Sequence, residues 1–141
     1  MPRRQGLISR FGAALLLATA VGGCGGEAAS PTTVRVLVRD INIREEGVDC
    51  AGTGAYTFFH NRAPFRVLDG AGETLTDGRL PPGKAVRTFE EDLEVERIPT
   101  YCEFAVPVSV PARSGYQLVV DDQPAIPLTA DSGALVAVVP S

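Results

Sequence analysis

Apolar and polar residues alternate along much of this chain, and this alternation constrains the fold more than any other feature. It is clearest from Cys102 to Val110, where every second residue is apolar and the residues between them are Glu, Ala, Pro and Ser. Because successive side chains of a β-strand point to opposite faces, the pattern predicts a strand with one buried face. Pro107 has no amide hydrogen to donate, so we expect this strand to lie at a sheet edge, or to bend, at that residue.

A second alternation covers residues 34–38, Val-Arg-Val-Leu-Val, with the valines on one face. Ile41 and Ile43 continue the alternation in the opposite phase. A strand that keeps its pairing changes phase where an extra residue is inserted. We therefore expect a β-bulge or a bend near Arg39-Asp40.

Shorter apolar segments follow, separated roughly every ten residues by Gly, Pro and Asp. Such spacing, with almost no helical periodicity, is typical of sandwiches and barrels. The segment from Phe65 to Leu68 and residues 73–75 flank Asp69-Gly70-Ala71-Gly72, which predicts a hairpin. We expect further strands at residues 56–59, 85–89, 116–120, 125–128 and 135–139, with turns at 77–78 and 81–83.

Together these segments predict an all-β domain over residues 32–141. Its expected architecture is a two-sheet antiparallel β-sandwich of about seven to nine strands. The chain that follows position 23 is long enough for one domain with its own hydrophobic core. No internal repeat or low-complexity segment divides it.

Residues 1–23 have the layout of a secretory signal peptide. Arginines at positions 3, 4 and 10 precede an apolar run from Phe11 to Val21. This run is shorter than the about 20 residues that a membrane-spanning helix needs, so we expect a cleaved helical signal rather than a retained transmembrane helix. Residues 24–31 then have the composition of a short flexible tether.

The sequence Val21-Gly22-Gly23-Cys24 resembles the bacterial lipobox, in which an aliphatic residue and two small residues precede an obligatory cysteine. The resemblance implies a bacterial lipoprotein precursor that is cleaved just before Cys24, after the thiol receives a diacylglyceryl group. Each buried CH₂ group contributes about 0.8 kcal/mol, so two or more acyl chains anchor a protein stably. The implied location is the extracytoplasmic face of the cell membrane.

With Cys24 assigned to lipid, two cysteines remain, Cys50 and Cys102. Such a pair in an exported protein usually forms a disulfide bond. In the chain-entropy description, closing a loop of this length destabilises the unfolded chain by about 4 kcal/mol. The alternative is a redox-active or metal-binding pair of thiols, although the chain contains no Cys-x-x-Cys motif and only one His.

The charge of the chain argues against nucleic acid as a partner. The sequence holds 13 basic and 17 acidic residues, and three of the basic residues lie in the predicted signal peptide. The remainder therefore carries a net charge of −7, which repels phosphate backbones and anionic lipid headgroups. The near absence of Lys, with abundant Ala, Gly, Val and Pro, indicates a high-GC bacterial genome.

The most polar segment is Glu90 to Glu96, in which five of seven residues are acidic. In an extended conformation four of these five side chains would share one face and are the candidate ligands of a cation: Glu90, Asp92, Glu94 and Glu96. Hard cations bind clustered carboxylates, and a basic partner could use the same surface. The alternative is a charged solvent-exposed face on an edge strand, which prevents aggregation. A second acidic set is Asp40, Glu45, Glu46 and Asp49.

Catalytic residues are scarce. His60 is the sole His, and its place between Phe59 and Asn61 suits a solvated loop. The chain has no Gly-x-Ser-x-Gly motif, and its single Met is the first residue, which argues against copper handling. We therefore expect neither an enzyme nor a bound cofactor.

Three motifs between Phe65 and Val120 resemble those of transthyretin-like modules of the carboxypeptidase-regulatory type. They are Val67-Leu68-Asp69-Gly70-Ala71-Gly72-Glu73, Leu80-Pro81-Pro82-Gly83 and Tyr116-Gln117-Leu118-Val119-Val120. The Cys-x-Gly-x-Gly-x-Tyr run that starts at Cys50, with Cys-x-Phe-x-Val at Cys102, is similar to small uncharacterised actinobacterial lipoproteins. Both resemblances imply a β-sandwich, and neither carries a catalytic motif.

The functional expectation is a non-enzymatic domain tethered to the membrane surface, with a protein or another component of the cell envelope as its partner. The alternative is a lipoprotein that binds a solute or a cation.

Overall fold

The structure, a computed structural model, describes residues 28–140. The predicted signal peptide, Cys24 and the first residues of the predicted tether lie outside the described residues. The described part forms ten strands and one short 3₁₀ helix. In chain order these are β1 (Ser30–Arg44), β2 (Asp49–Cys50), the 3₁₀ helix (Gly54–Tyr56), β3 (Pro64–Leu68), β4 (Thr74–Arg79), β5 (Gly83–Arg87), β6 (Ile98–Val110), β7 (Gln117–Val120), β8 (Ile126–Pro127), β9 (Thr129–Asp131) and β10 (Ala134–Val139).

Two sheets enclose one core, which confirms the predicted all-β sandwich. Six strands pair in the order β2-β5-β6-β1-β10-β9, and four pair in the order β4-β3-β7-β8. The buried cluster takes Val36 and Phe104 from the larger sheet and Val67 and Leu118 from the smaller one. Three of the ten strands have only two or three residues. These short strands account for a total slightly above the predicted seven to nine.

The pairing of β1 with β10 is parallel, over residues 33–38 and 134–139. It is the one parallel pair among the described strands, and all other pairs are antiparallel, as predicted. β8 belongs to the smaller sheet and β9 to the larger one, so the chain changes sheets between them. β10 then pairs back on β9 and runs in the same direction as β1.

β1 contains the predicted bulge. Its valines at residues 34, 36 and 38 are buried, and its register with β6 shifts between Arg39 and Ile43. The strand begins at Ser30, which pairs with Val110, and Pro31 pairs with Ser109. The last two residues of the predicted tether therefore belong to the first strand.

β6 shows the predicted alternation, with Cys102, Phe104 and Val110 buried in the core. On one side it pairs with β1 along most of its length, but on the other side β5 pairs with it only as far as Glu103. Pro107 therefore lies where β6 forms an edge of the sheet, as expected.

Residues 56–59 form a 3₁₀ turn rather than the predicted strand. The Gly52 amide donates to the Phe59 carbonyl oxygen at 2.7 Å, which folds this segment back on itself. A Cβ atom at Gly52 would lie 1.9 Å from the Tyr56 carbonyl oxygen, so only glycine fits. The apolar side chains still serve the core, since Phe59 is fully buried and its ring centroid lies 6.1 Å from that of Phe104.

Asp77-Gly78 lies inside β4 rather than at a turn. Gly78 pairs with Phe65 across the ladder, and a Cβ atom at Gly78 would lie 3.0 Å from the Phe65 ring. Glycine here makes room for an aromatic neighbour in the sheet. The predicted turn at residues 69–72 is correct, and β3 and β4 form the predicted hairpin.

The directions of the strands define two ends of the sandwich. At the Ser30 end, β1 begins and β6 finishes, and the Gly70 amide of the β3–β4 turn donates to the Ser114 carbonyl oxygen at 3.0 Å. At the opposite end, the Ile41 end, β1 finishes and β6 begins, so the β5–β6 loop lies there. The turn that follows Val120 also lies at the Ile41 end because β7 runs away from the Ser30 end.

Candidate functional site

Cys50 and Cys102 form a disulfide bond, with their Cα atoms 5.7 Å apart. The bond joins β2 to β6, the two neighbours of β5 in the sheet. Gly83 of β5 lies against it, since a Cβ atom at Gly83 would be 2.5 Å from the Cys102 Sγ atom. This confirms the predicted bridge and gives both cysteines a structural role.

The acidic segment 90–96 is an exposed loop between β5 and β6 and does not have the extended conformation that would align its carboxylates. Glu94 has a φ of 54°, and its amide donates to Asp92 Oδ1 at 2.9 Å. This turn breaks the alternation that would have placed Glu90, Asp92, Glu94 and Glu96 on one face. Among residues 28–140, no three His, Cys, Asp or Glu side chains are arranged to hold a metal ion.

Three members of the second acidic set are engaged with basic side chains. Asp40 pairs with Arg44, Glu46 pairs with Arg87 at 3.0 Å, and Asp49 pairs with the sole lysine of the chain. Their carboxylates therefore stabilise the loop after β1 rather than converge on a common point.

His60 lies on an exposed turn, with its Nδ1 atom 2.8 Å from the Asn61 carbonyl oxygen. Within the described residues, no serine or cysteine hydroxyl or thiol contacts its ring. This placement agrees with a solvated loop histidine.

An open groove of about 360 Å³ lies over the smaller sheet at the Ile41 end. Arg66 of β3 is at its centre and pairs across the ladder with Asp77 on one side and Val119 on the other. Asp122 lies 3.6 Å from the Arg66 guanidinium group. The groove thus combines cationic and anionic side chains around an apolar floor.

The wall of this groove contains backbone strain. Asp121 and Asp122 have φ angles of 49° and 54°, in a backbone region that residues other than glycine adopt rarely. The turn is closed by the Gln123 amide, which donates to the Val120 carbonyl oxygen at 3.0 Å. Strain of this kind is concentrated at ligand-binding and active sites in proteins.

A second exposed feature at the Ile41 end consists of residues 40–49 and 88–97, which we call the Ile41 surface. Six large apolar side chains are exposed among residues 28–140, and five belong to this surface. They are Ile41 (83% exposed), Val95 (58%), Ile43 (57%), Leu93 (50%) and Val48 (37%).

The bulge in β1 determines the position of Ile41. Asp40 has a fully buried side chain, and its Oδ1 atom accepts hydrogen bonds from the Asn42 amide at 2.9 Å and the Asn42 side chain at 3.1 Å. Its Oδ2 atom accepts from the guanidinium group of Arg44. The chain between these anchored residues loops outward and carries Ile41 into solvent.

Arg87 connects the two segments of the Ile41 surface. Its Nε atom donates to Glu46 Oε2 at 3.0 Å, and its Nη1 atom donates to the Glu90 carbonyl oxygen at 3.3 Å. Thr88 also donates its amide to the Pro99 carbonyl oxygen at 3.3 Å, which holds the start of the loop against β6. The segments are therefore neighbours, although they are about 50 residues apart in the sequence.

The Ile41 surface also contains the excess negative charge of the chain. Residues 40–49 and 88–97 hold nine acidic and two basic residues, a formal charge of −7. This equals the net charge of the whole chain after position 23, so the remaining residues sum to zero.

Comparisons with known protein families, with curated proteins and with solved structures found no match. Within residues 28–140, no helix is long and apolar enough to cross a membrane.

The acidic segment is visible in the sequence, but the exposure of the apolar residues beside it is not. A signal was present, because Leu93 and Val95 stand between acidic residues and Ile41 follows the predicted change of phase. The two segments are adjacent because β1 pairs with β6 in this register, and local sequence patterns do not reveal such a long-range pairing.

Proposed function

We propose that this protein is a membrane-anchored extracytoplasmic lipoprotein whose β-sandwich binds another protein of the cell envelope and catalyses no reaction. The anchor is the lipid on Cys24. The observation that carries the binding role is the concentration of exposed apolar side chains on the Ile41 surface.

Two features support the anchored location. Val21-Gly22-Gly23-Cys24 resembles the bacterial lipobox, with Val and Gly in place of the usual Leu and Ala, and a disulfide such as Cys50–Cys102 is typical of proteins in oxidising compartments. Since β1 begins at Ser30, only six peptide units separate it from Cys24, a reach of about 20 Å at most. The Ser30 end then faces the membrane and the Ile41 end faces away from it.

The anchor is tested by labelling producing cells with palmitate. We expect the label to appear in the wild-type protein and in Gly25→Ala, a matched neighbouring variant, and to be lost in Cys24→Ser. Cys24→Ser should also move from the membrane fraction to the soluble fraction. Persistent labelling of Cys24→Ser would exclude this anchor.

Solute binding is a second candidate, favoured by the mixed-charge groove around Arg66 and its strained wall. A guanidinium group beside carboxylates suits a small ligand that carries an acidic group. Calorimetric titration with succinate and with glutamate tests this function. Binding should be lost in Arg66→Met and kept in Arg35→Met, a matched control on the larger sheet. No heat of binding with wild-type protein would remove this candidate.

A further inference from the structure

We propose that the Ile41 surface binds a protein partner that presents apolar side chains surrounded by basic ones. This inference rests on the proposed function and specifies both the surface and the chemistry of the partner.

The apolar part of the argument begins with the exposure of Ile41. Single exposed apolar residues are ordinary on protein surfaces, but a concentration of them marks an interaction site. Here Ile41 and Ile43 lie on one segment, and Leu93 and Val95 lie on the segment that Arg87 holds against it. Burial of such apolar side chains against a partner is the main favourable contribution to most protein–protein association.

The fold maintains this exposure with buried polar contacts. The fully buried Asp40 carboxylate accepts hydrogen bonds from Asn42, inside the bulge, and from Arg44, just after it. Between Arg39 and Ile43 the residues of β1 leave the regular pairing with β6, and Ile41 lies in this unpaired stretch. β-bulges re-aim side chains at functional sites, and this one directs an isoleucine into solvent.

Charge defines the surroundings of the apolar residues. The formal charge of −7 on the Ile41 surface creates a local negative potential, although Lys84 and Arg87 at its border pair with two of its carboxylates. The other residues after position 23, these two included, sum to zero. Complementary charge steers association and excludes partners of the same sign. A partner whose apolar side chains are surrounded by basic residues therefore associates fastest, and a partner with acidic residues in those positions is repelled.

The position of the surface favours a protein over a lipid as its occupant. Ser30 and Ile41 are separated by eleven residues of β1, or about 35 Å along an extended strand. With the anchor at the Ser30 end, the Ile41 surface points away from the bilayer to which the protein is attached. Its acidic residues would also be repelled by anionic headgroups.

The test uses the lipidated protein in phosphatidylcholine nanodiscs and three fluorescent peptides of fifteen residues. The first alternates Leu-Leu pairs with Lys or Arg, the second has the same apolar residues with Glu, and the third has Lys or Arg with Ser in place of Leu. Fluorescence anisotropy gives the dissociation constant, and empty nanodiscs give the background. We expect the first peptide to bind at least about tenfold more tightly than either of the others.

Single substitutions then locate the binding site. Ile41→Asp should weaken binding of the first peptide by about tenfold or more. The matched control is Val138→Asp, which places the same charge at the one exposed large apolar residue outside the Ile41 surface among residues 28–140, and should leave affinity unchanged. Circular dichroism checks that each variant is folded.

Two results would overturn the proposal: equal binding of the first and third peptides, or wild-type affinity in Ile41→Asp. Loss of affinity in Val138→Asp but not in Ile41→Asp would move the site to another face and overturn it as well. Failure of the anchor gives a different result, because a chain without lipid does not enter the nanodiscs.

Discussion

At the scale of single residues, Gly83 shows how closely the core surrounds the disulfide. A Cβ atom there would lie 2.5 Å from Cys102 Sγ, 2.7 Å from the Cys50 carbonyl oxygen and 2.8 Å from the Phe104 ring. None of these groups can move alone, because two belong to the bridge and one to the centre of the core.

Gly83→Ala is therefore expected to lower the free energy of unfolding by about 1–3 kcal/mol, the usual cost of overpacking. Urea denaturation measures the change. The neighbouring substitution Lys84→Ala is a matched control on an exposed side chain and should change stability by less than about 1 kcal/mol. Equal stability of Gly83→Ala and the wild type would contradict the packing described for β5.

Thr100 lowers the stability of the fold in a different way, because its buried hydroxyl group has no hydrogen-bond partner among the described residues. A buried unsatisfied polar group costs about 1–3 kcal/mol. We expect Thr100→Val, which keeps the shape and removes the hydroxyl, to raise the midpoint of urea denaturation. Thr100→Ser keeps the hydroxyl, loses a buried methyl group and should lower the midpoint. A lower midpoint for Thr100→Val would show that the hydroxyl is satisfied in solution.

At the scale of elements, one contact network ties the two sheets together at the Ser30 end. Asp69 Oδ1 accepts the amides of Ala71 and Glu73, and Asp69 Oδ2 lies 3.5 Å from Arg113 Nε. The Tyr116 hydroxyl donates to the Pro111 carbonyl oxygen at 2.7 Å and accepts from the Arg113 amide at 2.9 Å. A tyrosine bonded in this way at the start of a strand also occurs in immunoglobulin-like sandwiches.

Tyr116→Phe removes both hydrogen bonds and leaves the part-buried Pro111 carbonyl oxygen without this partner. We expect the free energy of unfolding to fall by about 1–3 kcal/mol in chemical denaturation. Tyr101→Phe removes a hydroxyl from a half-buried position on β6 and serves as the control, with a change within about 0.5 kcal/mol. Equal losses in the two variants would show that the network contributes little.

The same elements show where sequence patterns succeed. β1 and β6 were predictable because each has one buried face, so the alternation of their side chains is complete enough to reveal even the bulge near Arg39. Residues 56–59 were wrongly predicted to form a strand, because apolar side chains can enter the core equally well from a 3₁₀ turn. Gly78 was wrongly predicted to lie in a turn, because the reason for a glycine at this position is its cross-strand neighbour Phe65, thirteen residues away in the chain.

The candidate site was only partly predictable for a related reason. The acidic run at residues 90–96 is visible in the sequence, but its conformation depends on the turn between Asp92 and Glu94. Its apolar neighbours Ile41 and Ile43 come close only through the long-range pairing of β1 with β6. The alternation shows which face of each strand is buried, but not which distant strand it pairs with.

At the scale of the whole molecule, the disulfide connects the region that bears the Ile41 surface to the core. We expect the free energy of unfolding of the double variant Cys50→Ala/Cys102→Ala to fall by about 4 kcal/mol, because the unfolded chain gains the entropy that the bridge had removed. Thermal and urea denaturation with and without reductant measure this loss. The wild type should show a similar loss when reduced, and an unchanged midpoint under reductant would contradict a stabilising bridge.

The parallel pairing of β10 with β1 has a practical consequence for anyone who labels this protein. Since β10 runs in the same direction as β1, its last residue, Val139, emerges at the end of the sandwich that carries Ile41. An affinity tag or fluorescent protein fused after Ser141 would lie beside the Ile41 surface and block access to it. Such a fusion is therefore best removed before binding to the Ile41 surface is measured.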